Sequence, residues 1–451
     1  MKKYDVIIIG TGPSGIITGV TGKKEHPEKS FLMIREEENG LVPCGIPYVF
    51  HDLEGIDQNK MGPAPFVAAG GDVAVDTVTS VDTVMKTLDT ASGETYGWDR
   101  LVFATGSLPI IPRFIKGWQL ENIEYVKKSY SYIQGLMEKA ACARNIVVVG
   151  GGFIGAEVAE QLARHPEKTV TLVEMEEHCL NRAFSQDFAA MADNHLENAG
   201  VHLRVGTKVT EFRGEGKVSA VVLNTGEELK AELVICAIGY TPRTELAEAA
   251  GLEITGNRSI KVDRYMRTSL KDVFAVGDCS STSGFITGNP DNIMLASTAT
   301  AEARVLGYNL FCIRLLRTFA GTLSAFSTEF DGYAFASAGA IEETARRADI
   351  DFVTGRFEVM DRHPGALPGA KKMIVKIVVT PETGRIIGGE IYGGKSVGEL
   401  INLVALAIQK QVTVFELVSF QMGTHPLLTP APTMYALVKA CESAMANIRK
   451  R

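Results

Sequence analysis

One thiol and two glycine-rich turns hold most of the chemistry that this sequence can offer. Cys44 stands in Leu41-Val42-Pro43-Cys44-Gly45-Ile46-Pro47-Tyr48, a few residues past an apolar run, Phe31 to Ile34, that reads as a strand. The other six cysteines, at 142, 179, 236, 279, 312 and 441, are scattered, and none forms a CxxC pair. An odd, dispersed set is neither a disulfide framework nor a zinc site. Most of these cysteines read as small buried hydrophobes, and no metal site is expected. Cys44 differs by position, because a segment leaving the second strand of a doubly wound sheet runs toward the ligand crevice at the strand ends. Pro43 and Gly45 punctuate the chain, and the run from Ile46 to Phe50 can open a helix. A thiol at such a start is expected to have its pKa lowered below the free value of about 8.5. Cys44 is therefore the candidate redox-active group.

The first turn is Gly10-Thr11-Gly12-Pro13-Ser14-Gly15, directly after the apolar stretch Asp5 to Ile9. The first glycine allows the tight turn, the second lets a phosphate approach the backbone, and the third lets helix pack on strand. Free N–H groups and the dipole at the helix start favour a pyrophosphate. The usual partner is an acid at the end of the second strand. Here Phe31 to Ile34 runs into Arg35-Glu36-Glu37-Glu38. Glu36 is the preferred acid, Arg35 occupies nearly the same place, and the register between them stays open. At least two of the three glutamates read as a solvated acidic loop.

The second turn is Gly150-Gly151-Gly152-Phe153-Ile154-Gly155, after Asn145 to Val149. Its second strand, Thr169 to Val173, ends in Glu174, well spaced to bond an adenosine ribose. Met175, Glu176 and Glu177 follow, with no Arg or Lys at once. A 2′-phosphate would be repelled there, so NADH is expected over NADPH. The two units, 4–20 and 145–161, echo each other as β-branched run, glycine turn and helical pattern.

The surrounding elements follow the same logic. The chain has 451 residues, which favours two or three domains. Residues 101–112 and 232–244 each read as an apolar strand, a glycine and a proline-bearing exit, marking two boundaries. Residues 273–278 form another buried strand ending in Gly-Asp, and a helix is expected from about Asn292 to Phe311. Past Gly321 the pattern becomes α+β, with strands Met373 to Val379 and Ile386 to Ile391 and a helix Val397 to Lys410. A net charge of −7 argues against a nucleic-acid surface. No apolar run reaches the ~18–20 residues of a membrane span. Met1 to Asp5 before Val6 faintly resembles a leader, but it reads as the first strand, so a cytoplasmic protein is expected.

Together these residues resemble the pyridine nucleotide–disulfide oxidoreductase family over essentially the whole chain. Ala104-Thr105-Gly106 and the stretch Thr268 to Asp278 strengthen the likeness. The resemblance implies an α/β protein with two Rossmann-like domains and a C-terminal α+β dimerisation domain. FAD would take 1–112 and 242–320, the nicotinamide cofactor 113–241, and the dimer interface 321–451. In such proteins the acid at Asp278, beside Gly277, bonds the flavin's ribityl chain, and Gly239 belongs to the same cofactor-facing set. Paired-cysteine reductases carry CxxxxC, whereas Val49 stands five residues after Cys44. They also carry HPTxxE, whereas His425-Pro426-Leu427-Leu428-Thr429-Pro430 lacks the glutamate. A single cysteine in this setting resembles the branch of NADH oxidases, NADH peroxidases, coenzyme A-disulfide reductases and persulfide or polysulfide reductases. No rhodanese-like extension is expected after Arg451.

The resemblance implies electrons passing from NADH through FAD and Cys44 to a disulfide, persulfide, polysulfide or related small acceptor. Alternatives are an oxidase or peroxidase with Cys44 as sulfenic acid, direct transfer to a protein or quinone, and a flavin-bound redox sensor without significant turnover. It also implies a homodimer in which a partner's tail approaches the flavin. On that tail His425 could assist proton transfer and Tyr435 could contact substrate, while His363 reads as a loop residue.

Overall fold

The computed structural model describes every residue of the chain except Arg317. Three sheets organise it. In the first, four parallel strands lie side by side: Asp72–Val75, Phe31–Arg35, Lys2–Ile9 and Thr95–Phe103. Val273–Ala275 adds to the far edge of Thr95–Phe103, and a hairpin, Val78–Asp82 with Thr87–Thr90, extends that strand. Val6, Ile7 and Ile8 are fully buried, because both faces of the sheet are covered, one by helices and the other by chain that includes Leu88, Leu252 and Ile260, and its strands become continuous apolar runs. The helices Pro13–Glu25 and Ala296–Asn309 pack against each other on one of those faces.

The second sheet is wholly parallel, in the order Ile123–Tyr125, Leu233–Cys236, Asn145–Val149, Thr169–Val173, His202–Arg204. Chain crosses between the two sheets through a short antiparallel pair, Ser107–Pro109 with Tyr240–Pro242. The third sheet is antiparallel: Phe326–Phe330, Tyr333–Gly339, Ile386–Gly393, Lys372–Val379, Val353–Met360. The helices Val397–Gln409 and Ala436–Arg449 bury their apolar stripes against it.

Two local expectations shift. The helix expected over 292–311 is Ala296–Asn309, and it starts late because the chain is still extended at Leu295, its N-cap. The helix expected after Cys44 is two single turns of 3₁₀ helix, Pro43–Gly45 and Pro47–Phe50. Both prolines lack an N–H, so only short i→i+3 bonds close, such as Ile46 N–H to Pro43 O and Val49 N–H to Ile46 O.

Candidate functional site

The first glycine turn begins where Lys2–Ile9 ends, and Gly10 N–H donates to Ile34 O at 2.9 Å. Gly10 has φ +110, and a Cβ there would overlap the Ala104 carbonyl. A Cβ on Gly15 would overlap the Gly10 carbonyl, so this glycine is what lets the helix Pro13–Glu25 sit on the strand. Gly12 is different, for a Cβ there meets nothing within 4 Å. The turn is thus closed on its protein side and open above, where the first helical N–H groups lack intrahelical partners.

Ser14, at the helix start, touches the Gly277-Asp278 turn, since a Cβ on Gly277 would come 2.5 Å from Ser14 Oγ. Glu302, 1% exposed on Ala296–Asn309, accepts from Gly277 N–H at 2.8 Å and Ser280 Oγ–H at 3.1 Å. Burial pushes its carboxyl up to about 8. Asp278 Oδ2 accepts from Ser107 Oγ–H at 2.8 Å and pairs with the Lys128 ammonium. Lys128 also donates to Ser107 Oγ at 2.9 Å and lies over the Tyr240 ring. Thr105 Oγ–H donates to Arg243 O at 2.6 Å, and Arg243 N–H to Gly106 O at 2.9 Å, joining the Ala104-Thr105-Gly106 turn to the returning chain.

Register at the second strand is settled by the internal echo. Gly150 N–H donates to Val173 O just as Gly10 N–H donates to Ile34 O. Glu174 follows Val173, and Arg35 follows Ile34, so Arg35 occupies the place of Glu174. Arg35 is 7% exposed, and its Nε is buried without a hydrogen-bond partner among the described residues. Glu36 instead pairs with Arg243 through both carboxylate oxygens, and that guanidinium holds Glu36 below the usual carboxylate range. Glu37 accepts from Ser129 Oγ–H and from Tyr130 N–H at 2.9 Å, at the start of the helix Tyr130–Cys142. Glu36 and Glu38 are exposed, as expected of a solvated loop, but the loop is also tethered, because the Glu37 carboxylate at a helix N-terminus meets unpaired N–H groups and a favourable dipole.

The second turn repeats the first. Gly150 has φ +105, and its Cβ would lie 2.6 Å from Ala237 O. A Cβ on Gly155 would overlap Gly150 O, while one on Gly152 meets nothing within 4 Å. Glu174 accepts from Gly151 N–H at 2.6 Å and Glu176 N–H at 2.7 Å. Phe153 stacks on Phe326 of the third sheet, Ile154 is half-buried, and Gly239 has φ +114 beside Ile110.

Cys44 is a free, exposed cysteine on the first of the two 3₁₀ turns, near enough to Glu157, Lys128 and Asp278 for their charges to act on its sulfur. Its surroundings push the thiol up, not down as expected from a helix dipole. Burial among neighbouring atoms acts first and the Glu157 carboxylate second, with Asp278 in the same sense and Lys128 opposing. A three-residue 3₁₀ turn offers little dipole to set against them. The segment after Cys44 is strapped to the helix Phe153–Ala163 and its C-cap. Asp52 N–H donates to Gln161 Oε1 at 3.0 Å, and Arg164 bridges Asp52 and Glu160 at 2.7 Å each. His165 Nε2 is 2.8 Å from Phe50 O.

Sequence reasoning missed Glu157 and Lys128. Glu157 is two residues past the last glycine of the second turn, a position on the helix face toward the strap, which is the one signal that could have found it. Lys128 follows a strand with no motif around it. His425 is exposed and bonds within its own loop, its Nδ1 accepting from Leu427 N–H at 3.2 Å. Tyr435 packs against the core of the third sheet. Neither shares a hydrogen bond or ring contact with Cys44 among the described residues. His363 Nδ1 lies 2.8 Å from Thr429 O, which holds its loop to that of His425. Among the described residues no cluster of three His, Cys, Asp or Glu could hold a metal, and no helix is long and apolar enough to cross a membrane.

Comparison with known proteins places this geometry in a family. The chain is 31% identical over 427 residues to an NADH oxidase of Enterococcus faecalis, covering 91% of this chain and 93% of that one. It is 32% identical over 400 residues to the NAD(P)H coenzyme A polysulfide/persulfide reductase of Pyrococcus horikoshii, covering 87% and 88%. A solved NAD-dependent persulfide reductase from A. fulgidus superposes with a TM-score of 0.91 at 28% identity, over 99% of this chain and 84% of that one. The model of the pyridine nucleotide-disulphide oxidoreductases matches residues 4–303, and that of their dimerisation domain matches 326–436. This chain belongs to the pyridine nucleotide-disulphide oxidoreductase family.

Proposed function

We propose that this chain is an FAD-dependent NADH oxidoreductase that reduces a disulfide, persulfide or polysulfide at Cys44. The observation that carries the reading is the exposed Cys44, acted on by the charges of Lys128 and Asp278, in a chain with two glycine turns that are each open at the middle glycine. The protein fits the cofactor: Gly12 leaves room for a pyrophosphate, and the orphaned Arg35 Nε offers a buried donor at the end of the second strand. Gly10, Gly12, Pro13, Ser14, Gly15, Arg35, Ala104, Thr105, Gly106, Gly277 and Asp278 would hold FAD. Gly150, Gly152, Phe153, Ile154, Gly155, Glu174 and Gly239 would hold NADH. The corresponding division is 1–112 with 242–320 for FAD, 113–241 for NADH and 321–451 for a dimer interface. Bound FAD supplies the two-electron chemistry that links a nicotinamide to a thiol.

The chain's own part is to place and protect the sulfur. Cys44 attacks the acceptor and carries it as a mixed disulfide or persulfide until reduction releases it. The straps to Phe153–Ala163 fix the loop that carries it. A homodimer fits the matched dimerisation domain and the exposure of Leu427, Leu428 and Met434 around His425 and Tyr435. In that arrangement His425 and Tyr435 would serve the partner's site. A second reading, oxygen or peroxide reduction with Cys44 as sulfenic acid, is favoured by the likeness to the E. faecalis NADH oxidase.

Cys44→Ser tests the relay role, and the unaltered protein decides between the acceptors. The variant should keep FAD and its bleaching by NADH but lose turnover of coenzyme A disulfide and polysulfide. Full retention of that turnover would sink the relay role. NADH-driven oxygen uptake that exceeds disulfide and polysulfide turnover in the unaltered protein would favour the second reading.

A further inference from the structure

A carboxylate drawn out of water needs a cation or donors close by, and the side on which they stand decides which oxygen is left to a ligand. Asp278 has them on one oxygen only. Its Oδ2 accepts from Ser107 Oγ–H at 2.8 Å and pairs with the Lys128 ammonium, which also donates to Ser107 Oγ at 2.9 Å. The three side chains thus close a ring of hydrogen bonds. Asp278 Oδ1 makes no hydrogen bond among the described residues, and Asp278 lines a cleft with Gly277, Ser280, Thr298 and Glu302. The pair is sheltered, with the Asp278 side chain 14% exposed and that of Lys128 32%. Loss of the cation would leave a carboxylate with little water to replace it.

The two partners come from different modules. Lys128 lies between Ile123–Tyr125, the edge strand of the second sheet, and the helix Tyr130–Cys142. Asp278 follows Val273–Ala275 of the first sheet. Ser107 stands where the chain crosses between them, on the strand paired with Tyr240–Pro242. Each end of the bridge is held. The Lys128 Nζ is 5.1 Å from the centre of the Tyr240 ring, and Tyr240 O–H donates to Val126 O, two residues before Lys128. On the other side Glu302 accepts from Gly277 N–H and Ser280 Oγ–H, which fixes the turn that carries Asp278. A bridge with both ends fixed gives up less side-chain freedom than a surface pair does.

We propose that Lys128 is the positioning residue of the flavin-binding acid, an inference that rests on the FAD-dependent reading of this chain. With Ser107 it holds Asp278 Oδ2 and leaves Oδ1 as the acceptor for a ribityl hydroxyl. Its charge offsets that of Asp278, so the acid adds no net negative charge where FAD would be reduced. Lys128 belongs to the nicotinamide module, so the same contact pins that module to the flavin site.

The test is a double-mutant cycle on the FAD-loaded protein. Its readouts are the Kd for FAD, from flavin fluorescence, and the flavin midpoint potential, from spectroelectrochemical titration. Lys128→Met should raise Kd by roughly 10–10²-fold, the worth of a charge-assisted hydrogen bond. It should also make the potential more negative, because a carboxylate without its cation opposes added electrons. Lys128→Arg keeps the charge and should restore both. In an Asp278→Asn background the Lys128→Met change should move Kd by less than about threefold, because the acid it supports is gone. Lys128→Gln, which keeps a neutral donor and loses the charge, repeats the potential measurement if the Met variant does not fold. Equal losses of affinity in the two backgrounds overturn the inference, as do a Kd and potential that stay in place in Lys128→Met. So does a raised KM for coenzyme A disulfide with Kd and potential unmoved, which would make Lys128 a substrate contact. An unaltered protein that takes up no FAD fails the functional reading, whereas one that holds FAD and is indifferent to Lys128 fails this inference alone.

Discussion

Gly12→Ala separates what the first glycine turn does for the fold from what it does for a ligand. The backbone at Gly12, φ −69 and ψ −179, is one any residue adopts, and an added Cβ meets nothing within 4 Å. Removing glycine from the unfolded chain stabilises by about 0.4–1 kcal/mol at a compatible site. Losing glycine's advantage over alanine at a helix N-cap costs about 0.5–1 kcal/mol. The two nearly cancel, so stability should change by less than about 1 kcal/mol. Binding should behave otherwise. A methyl in the open mouth of the turn would deny a pyrophosphate about two charge-assisted N–H bonds, each worth about 1.5–3 kcal/mol. That is about 3–6 kcal/mol, or roughly 10²–10⁴-fold in Kd for FAD. The assay is FAD titration of the apoprotein by fluorescence quenching, beside urea unfolding of the same sample. Gly15→Ala is the control, because its Cβ overlaps the Gly10 carbonyl and should damage the fold itself. A Gly12→Ala protein that binds FAD within threefold of the unaltered chain would refute the reasoning.

Lys376, 4% exposed, meets Glu390 at 3.0 Å, Asp187 at 2.9 Å and Glu342 at 3.1 Å where the second and third sheets' elements join. Lys376→Met should cost about 3–5 kcal/mol, read as a lower urea midpoint; an unchanged midpoint would show the cluster to be dispensable. Glu302 has a folded pKa of about 8, raised from its ordinary 4.5 by burial. Its contribution is full below the unfolded value and is lost as pH rises through about 8, at a slope of up to about 1.4 kcal/mol per pH unit. Glu302→Gln should flatten that decline in denaturation curves between pH 5 and roughly 8, and an identical decline in both proteins would remove Glu302 as its source. Glu174, Glu176 and Glu177 should repel a 2′-phosphate, so kcat/KM should favour NADH, and a clear preference for NADPH would contradict the assignment.

The glycine turns were legible because their chemistry is local. Gly10 and Gly150 show positive φ, and Gly15 and Gly155 sit against carbonyls, as the spacing requires. Register at the second strand was not legible, since an apolar run such as Phe31 to Ile34 does not mark its own last residue. Only the backbone bond from Gly10 to Ile34 puts Arg35 where the second module has Glu174. The tethers of the acidic run were not legible because its partners, Arg243 and the helix start at Tyr130, are about two hundred and about ninety residues away. The thiol was misjudged for the same reason. A local motif suggested a dipole, whereas remote atoms and Glu157, on another module, decide the direction. Glu157 and Lys128 carry no signature of their own, and their relevance comes from what the fold sets beside them.

The helix Phe153–Ala163 has a wider consequence. Its eleven residues span about 16 Å, with the open Gly152 position at one end and the Asp52 tether at the other. A displacement of the glycine end is expected to reach the loop after Cys44, because Gln161 and Arg164 hold Asp52 to the other end of the helix. The helix thus joins the backbone at Gly152 to the loop that follows Cys44 by way of Gln161 and Asp52.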